Sequence, residues 1–252
     1  MKRKFCWSFT TWLLAALFFV SCGSINRSAK ELDWPPSLVY FSFDDGPNPL
    51  DDTTERVLEV LAKYKIRALF FLIGENAEHA PHLVRRIYDA GHYIGNHGYS
   101  EKLSYKMNAE TFRDNLLRGE AAITAALGKE LRPKLYRPHG GWYTSRQEEI
   151  WRGEGYVLVP GVIRVYDAVM SRAERDKMIR RVIEKVERQG GGLVLLHDGR
   201  DSFLRMKKKA EKSPKSEYNR SWIPDALEEI LRALEQKGYV FNGPDYLKLY
   251  NN

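Results

Sequence analysis

From residue 38 onward, short apolar runs alternate with amphipathic stretches. Runs at 38–43, 68–73, 93–95, 135–137, 156–160, 191–196 and 239–241 have strand length and no helical period. Between them, 53–64 repeats its apolar positions at helical spacing (Val57, Leu58, Leu61) and 81–90 opens on Pro81. The segment 108–127 stops at Gly128, and 145–153, 173–189 and 224–237 complete the predicted helices. Proline at a helix start and glycine just past its end are the expected punctuation. This βα alternation predicts a parallel sheet. Some seven strands in one chain of this length predict an α/β fold in a single domain and favour a distorted (β/α) barrel over an open sheet, a choice that the period alone does not make.

Polar residues fall at one kind of place in this pattern. Asp44-Asp45, His97, Arg137, Asp167 and His197 each lie at or just beyond the C-terminal end of a different apolar run. In a β/α barrel those ends converge on one face, where catalytic residues collect. The stretch Phe41-Ser42-Phe43-Asp44-Asp45-Gly46-Pro47 is the sharpest case. Neighbouring side chains on a strand point to opposite faces, so two adjacent aspartates share a face only where the strand ends and the backbone turns. One carboxylate could then bind a metal while the other handles a proton. Taken alone, the segment reads equally well as the acidic cap of a β-turn; the other strand ends weigh against that.

The first residues have a different character. Lys2, Arg3 and Lys4 precede a short apolar stretch at 12–20, and Ser21-Cys22-Gly23-Ser24 follows. A small residue before a lone cysteine resembles a bacterial lipobox. It predicts a lipoprotein-type signal over 1–22, acylation of Cys22, and an exported chain lipid-anchored to the cell envelope; an ordinary cleaved secretory signal is the alternative. Residues 23–36 read as a tether and 37–252 as the barrel domain. Cys6 and Cys22 are the two cysteines and both lie in the leader, which excludes redox chemistry from the mature body. Without Lys2, Arg3 and Lys4 the formal charge of +7 falls to +4. That suits an anionic wall polymer or a lipid surface but is too weak and dispersed for nucleic acid. A basic stretch at 200–220, with Lys207-Lys208-Lys209, reads as an insertion at the rim: either a solvated loop or a contact to polymer or anionic lipid. The pattern leaves the oligomeric state open.

In order, these segments resemble the polysaccharide deacetylase family (the NodB-homology domain, carbohydrate esterase family four). The first family motif is matched by 41–47, the approach to the second by Ile94-Gly95-Asn96-His97, and the start of the third by Tyr136-Arg137-Pro138. Leu193-Val194-Leu195-Leu196-His197-Asp198 matches the fifth, and Gly238-Tyr239-Val240-Phe241 the closing strand. The resemblance covers about residues 36–250. It implies metal-dependent hydrolysis of an N- or O-acetyl group on a sugar of an acetylated polysaccharide or oligosaccharide. It further implies Asp45 and His97 as metal ligands and Asp44 as the base acting on water. Arg137 would be the partner of that base, His197 the acid protonating the leaving group, and Asp167 the carboxylate orienting that acid. Leu193 and Leu195 would line the acetyl pocket, and the Gly140 backbone N–H would serve the oxyanion.

The chain departs from the family pattern at several positions. Where the second motif has a second histidine, four residues after the first, this chain has Glu101. Glutamate can coordinate a divalent ion, so Asp45, His97 and Glu101 form the expected ligand set. Two carboxylates would favour harder ions such as manganese, iron, cobalt or nickel over zinc. After Arg137-Pro138, His139-Gly140-Gly141-Trp142 replaces Pro-Tyr-Gly, leaving Trp142 or Tyr143 to supply the aromatic surface. Ala168 stands where the family has tryptophan, and Arg164 at an often acidic position. These departures keep a non-catalytic glycan-binding lipoprotein open beside the enzyme. His79 and His82 read as surface groups and His92 as a structural turn residue. His139 is either structural or approaches the metal or substrate.

Overall fold

The computed structural model of the protein describes residues 36–160, 163–199 and 219–241, together with the backbone of 25–27. Cys22, the leader, most of the tether and residues 200–218 of the basic stretch lie outside the described residues. Seven parallel strands form the central sheet: β2 Val39–Gly46, β3 Leu69–Leu72, β4 Tyr93–Asn96, β5 Leu135–Tyr136, β7 Val157–Leu158, β8 Ile163–Arg164 and β9 Gly192–His197. Their spatial order is β7-β5-β4-β3-β2-β9-β8. Among the described residues β7 and β8 do not pair, so the (β/α) barrel is distorted and open at that seam. A separate antiparallel pair joins β1 Ile25–Arg27 to β6 Trp142–Thr144.

Strand parity divides the interior in two. On β2, Val39, Phe41 and Phe43 point to the helices and pack with Val57 and Leu61 of α1 (Thr53–Lys63) and Val84 of α3 (Pro81–Asp89). The same core takes Val182 of α6 (Arg175–Gln189) and Leu227 and Leu231 of α7 (Ile223–Gln236). The opposite parity faces the barrel axis, where Tyr40 packs with Leu69, Phe71, Leu135, Val159 and Leu193. All eight β2 residues are buried, as befits a central parallel strand covered on both faces. The axial parity continues through Ser42 to Asp44 and carries chemistry up to the rim.

The helix ends follow the local signals. The Asn108 side chain accepts from Thr111 N–H to cap α4 (Ala109–Leu127), and Gly128 closes it at φ 71°. Thr144 and Gln147 form a capping box on α5 (Ser145–Gly153). Two expectations differ. The last strand, at 239–241, is a single parallel bridge between Leu38 and Val240, although Phe241 still packs on Phe41. The six-residue helix α2 (Gly74–His79) was not anticipated. It is too short to show an apolar period, and tertiary bonds from Gly74 N to Gly98 O and Glu75 N to Tyr99 O fix its start.

Candidate active site

Asp44 follows the axial parity of β2; by alternation Asp45 should turn away from it. Instead the β2–β3 ladder shifts register between Asp44 and Gly46, and Asp45 sits at φ 69°. A left-handed non-glycine residue costs about 1–2 kcal/mol. The bulge brings both carboxylates into one cleft of about 370 Å³ at the C-terminal rim. Gly199 makes room, since a β-carbon there would come within 2.0 Å of the Asp45 carbonyl oxygen.

Arg137 extends from the end of β5 into the barrel axis, 2% exposed, with its guanidinium 4.0 Å from the centre of the Phe71 ring. Its Nε donates to Val159 O, and its Nη1 donates to Ser42 Oγ at 3.0 Å and to Asp44 Oδ1 at 2.5 Å. A buried carboxylate is thus matched by a buried cation, and removing either partner would strand the other. Across the sheet, His197 ends β9. Its Nδ1 lies 2.9 Å from Asp167 Oδ1, and its backbone N–H donates to Asp167 Oδ2. Burial disfavours the imidazolium, but the Asp167 charge and hydrogen bond, with Asp45 and Asp44 behind them, raise the His197 pKa to about 9.

Asp45, His97 and His139 group their donor atoms within 4.8 Å of one another. His97 Nδ1 donates to Arg137 O at 2.8 Å, because a carbonyl can only accept. Its Nε2 is therefore a bare lone pair, 3.3 Å from Asp45 Oδ1. His139 Nδ1 lies 3.5 Å from the same oxygen, and both that nitrogen and that oxygen are buried with no hydrogen-bond partner. Lone pairs facing a carboxylate repel unless a cation or proton lies between them. Ligands about 2.0–2.1 Å from a shared tetrahedral centre stand about 3.4 Å apart, which the two measured separations match. The donor set therefore fits a divalent ion.

Glu101, the expected third ligand, lines the same cleft but is not in this group. Residues four apart share a face only on a helix, and 97–103 is an irregular loop that passes through Gly98 at φ 93°. His139 stands in the group instead, entering from the turn after β5. The clue in the sequence was a pair of departures, histidine lost at 101 and gained at 139. Other expected positions also divide. Gly140 and Leu195 line the cleft, whereas Leu193, two residues deeper on β9, is packed in the barrel core. Tyr143 is buried edge-on against Trp151, and Trp142, though exposed, is not among the cleft-lining residues. Arg164 and Ala168 both line it. His79 and His82 are exposed. Burial and the Arg67 charge push the His92 pKa down to about 4, while its Nδ1 accepts from Ala68 N–H, a structural role.

Two contributors escaped sequence reasoning. Arg220 closes the stretch read as a basic insertion, yet it is 1% exposed and donates to the carbonyls of Asp167 and Ala168. Asp198 is fully buried and accepts from Thr54 Oγ1 at 2.7 Å, its carboxylate pressed against Gly46. Only its place after His197 hinted at a role.

A carboxylate paired with an arginine, a histidine paired with a carboxylate and three donors for a cation fit metal-assisted hydrolysis of an acyl group. On fold and site the protein is of that hydrolase class. Residues 32–159, just over half the chain, match the polysaccharide deacetylase family, and the chain belongs to it. It is 28% identical over 204 residues to a peptidoglycan-N-acetylglucosamine deacetylase of Bacillus cereus, covering 81% of this chain and 84% of that protein. It is 29% identical over 221 residues to a chitooligosaccharide deacetylase of Bradyrhizobium sp., covering 88% and 94%. Its fold is similar, with a TM-score of 0.63 and 26% identity, to a family 4 acetyl xylan esterase from Clostridium thermocellum in complex with a cobalt ion, covering 85% and 90%.

Proposed function

We propose that this polysaccharide deacetylase removes acetyl groups from N-acetylated, or O-acetylated, sugars of a cell-wall or related polysaccharide, with Asp45, His97 and His139 as the metal ligands. The observation that carries this reading is that Asp44, paired with Arg137, and His197, backed by the buried Asp167, line one cleft with the three donors. A bound divalent ion would supply Lewis acidity toward the acetyl carbonyl and the attacking water. Asp44 accepts the proton from that water, and Arg137 fixes the position of its carboxylate beforehand. His197, kept protonated by Asp167 near neutral pH, gives a proton to the leaving nitrogen or oxygen. The cation would offset part of the Asp44 and Asp45 charge, leaving Asp167 as the main support of the His197 imidazolium. Leu195 contacts the acetyl methyl, and the Gly140 N–H faces the developing oxyanion.

A scaffold that only bound glycan would have no physical need for two oriented proton-transfer pairs. His139 also removes the main motive for that alternative, the missing second histidine. We infer as well that the chain is exported and lipid-anchored through Cys22; loss of membrane association in Cys22→Ala would support this, and retention would refute it.

The direct test is acetate release from chitooligosaccharides, peptidoglycan and acetylxylan with added zinc, cobalt or manganese. Asp44→Asn should reduce turnover by about 10²–10⁴-fold while zinc binding persists. A folded chain that released no acetate from any of these would overturn the reading.

A further inference from the structure

The rim of the cleft holds a feature that this chemistry does not use. The turn at 166–169 begins with Tyr166 at φ 60°, ψ 33°, a left-handed conformation that a β-carbon disfavours. It is fixed from behind. Arg220 donates Nη1 to Asp167 O at 2.8 Å and Nη2 to Ala168 O at 2.7 Å. Val169 N bonds to Tyr166 O, Met170 N bonds to Asp167 O, and buried Val165 and Met170 anchor the two ends. Yet the turn leaves Tyr166 61% and Val169 71% exposed, and both line the cleft. Strain and rigid backing that present apolar side chains to solvent call for a role outside folding.

We propose that Tyr166, extended by Val169, is the platform on which the sugar ring bearing the acetyl group stacks, and that it selects glycan rings as substrates. This rests on the deacetylase reading above. Chain position indicates which part of the substrate meets it. Tyr166 adjoins Asp167, the partner of the acid His197, and the acid serves the leaving atom, which the sugar carries. An aromatic beside the acid therefore lies on the sugar side of the scissile bond. A pyranose presents a face of C–H groups, and a tyrosine ring offers a flat apolar surface to it with only two side-chain torsions to fix. Ala168 leaves Tyr166 as the one aromatic of this turn.

The test uses the full-length, zinc-loaded chain and whichever of penta-N-acetylchitopentaose, peptidoglycan and acetylxylan the wild type turns over fastest. Covering about 50 Å² of apolar surface at ~25 cal/mol/Å² corresponds to nearly tenfold in affinity. Tyr166→Ala should raise KM about five- to twentyfold and leave kcat within about threefold. Tyr166→Phe should restore KM to within about twofold. Tyr166→Gly should raise KM as alanine does without lowering Tm, because glycine accepts the left-handed backbone. A merely structural tyrosine would lower Tm in the glycine variant and leave KM alone. An unchanged KM in Tyr166→Ala, or a collapse of kcat with KM kept, overturns the platform while the deacetylase reading stands. No acetate from any of the three substrates with the wild type overturns both.

Discussion

Exchanging one donor decides whether His139 or Glu101 completes the metal site. Structural zinc sites with four ligands bind with about 10–16 kcal/mol, so one donor carries about 3 kcal/mol, or roughly two orders of magnitude in affinity. His139→Ala should therefore weaken zinc binding about 100-fold. Glu101→Gln should leave it within about threefold. The His139 side chain is 12% exposed on the cleft wall, so its truncation spares the core. Competition against a chromogenic chelator reads the affinity without turnover. Thermal melts supply a second readout. At zinc 100 times the wild-type Kd, binding stabilises the wild type by about 2.7 kcal/mol and the variant by about 0.4 kcal/mol. For a domain of this size the difference amounts to a zinc-induced rise in Tm smaller by about 5–9 °C in the variant. Zinc retained by His139→Ala and lost by Glu101→Gln would refute the assignment and restore the ligand set expected from the sequence.

Two further outcomes follow from the titrating groups. The raised His197 pKa, about 9, means its imidazolium stabilises the fold fully below about pH 6.5 and that this contribution fades as pH rises toward 9. Asp167→Asn should remove that fade in urea melts and shift the alkaline limb of the kcat profile to lower pH; an unshifted limb would remove His197 as the acid. Burial raises the Asp198 pKa to about 7, so the folded state keeps a proton that the unfolded chain releases near pH 4. Stability of the chelator-treated protein should fall by up to about 4 kcal/mol between pH 4 and 7, and Asp198→Asn should abolish that slope. A slope that persists in the variant would assign it to another group.

Much of the fold was legible because it depends on local spacing. The α5 boundaries, the start of α4 to within a residue and the Gly128 stop are short-range signals, and the apolar runs located six of the seven sheet strands to within a few residues. The two-residue β8 and the six-residue α2 were missed because neither is long enough to display a period. Within the site, Asp44, Asp45, His97, Arg137, Asp167 and His197 could be placed from strand ends and family motifs. Leu193 and Leu195 could not be separated, since two residues of depth along one strand leave no mark in sequence.

Sequence alone determined that carboxylates, histidines and an arginine would stand at the ends of parallel strands, because strand period and turn chemistry act over a handful of residues. Only the tertiary structure decided how those ends meet. The bulge at Asp45, the buried Arg220 behind the Asp167 turn and the grouping of His139, rather than Glu101, with Asp45 and His97 depend on distances between segments far apart in the chain. A donor joins a metal site by lying within a few ångströms of its partners, and spacing along a loop does not set that distance.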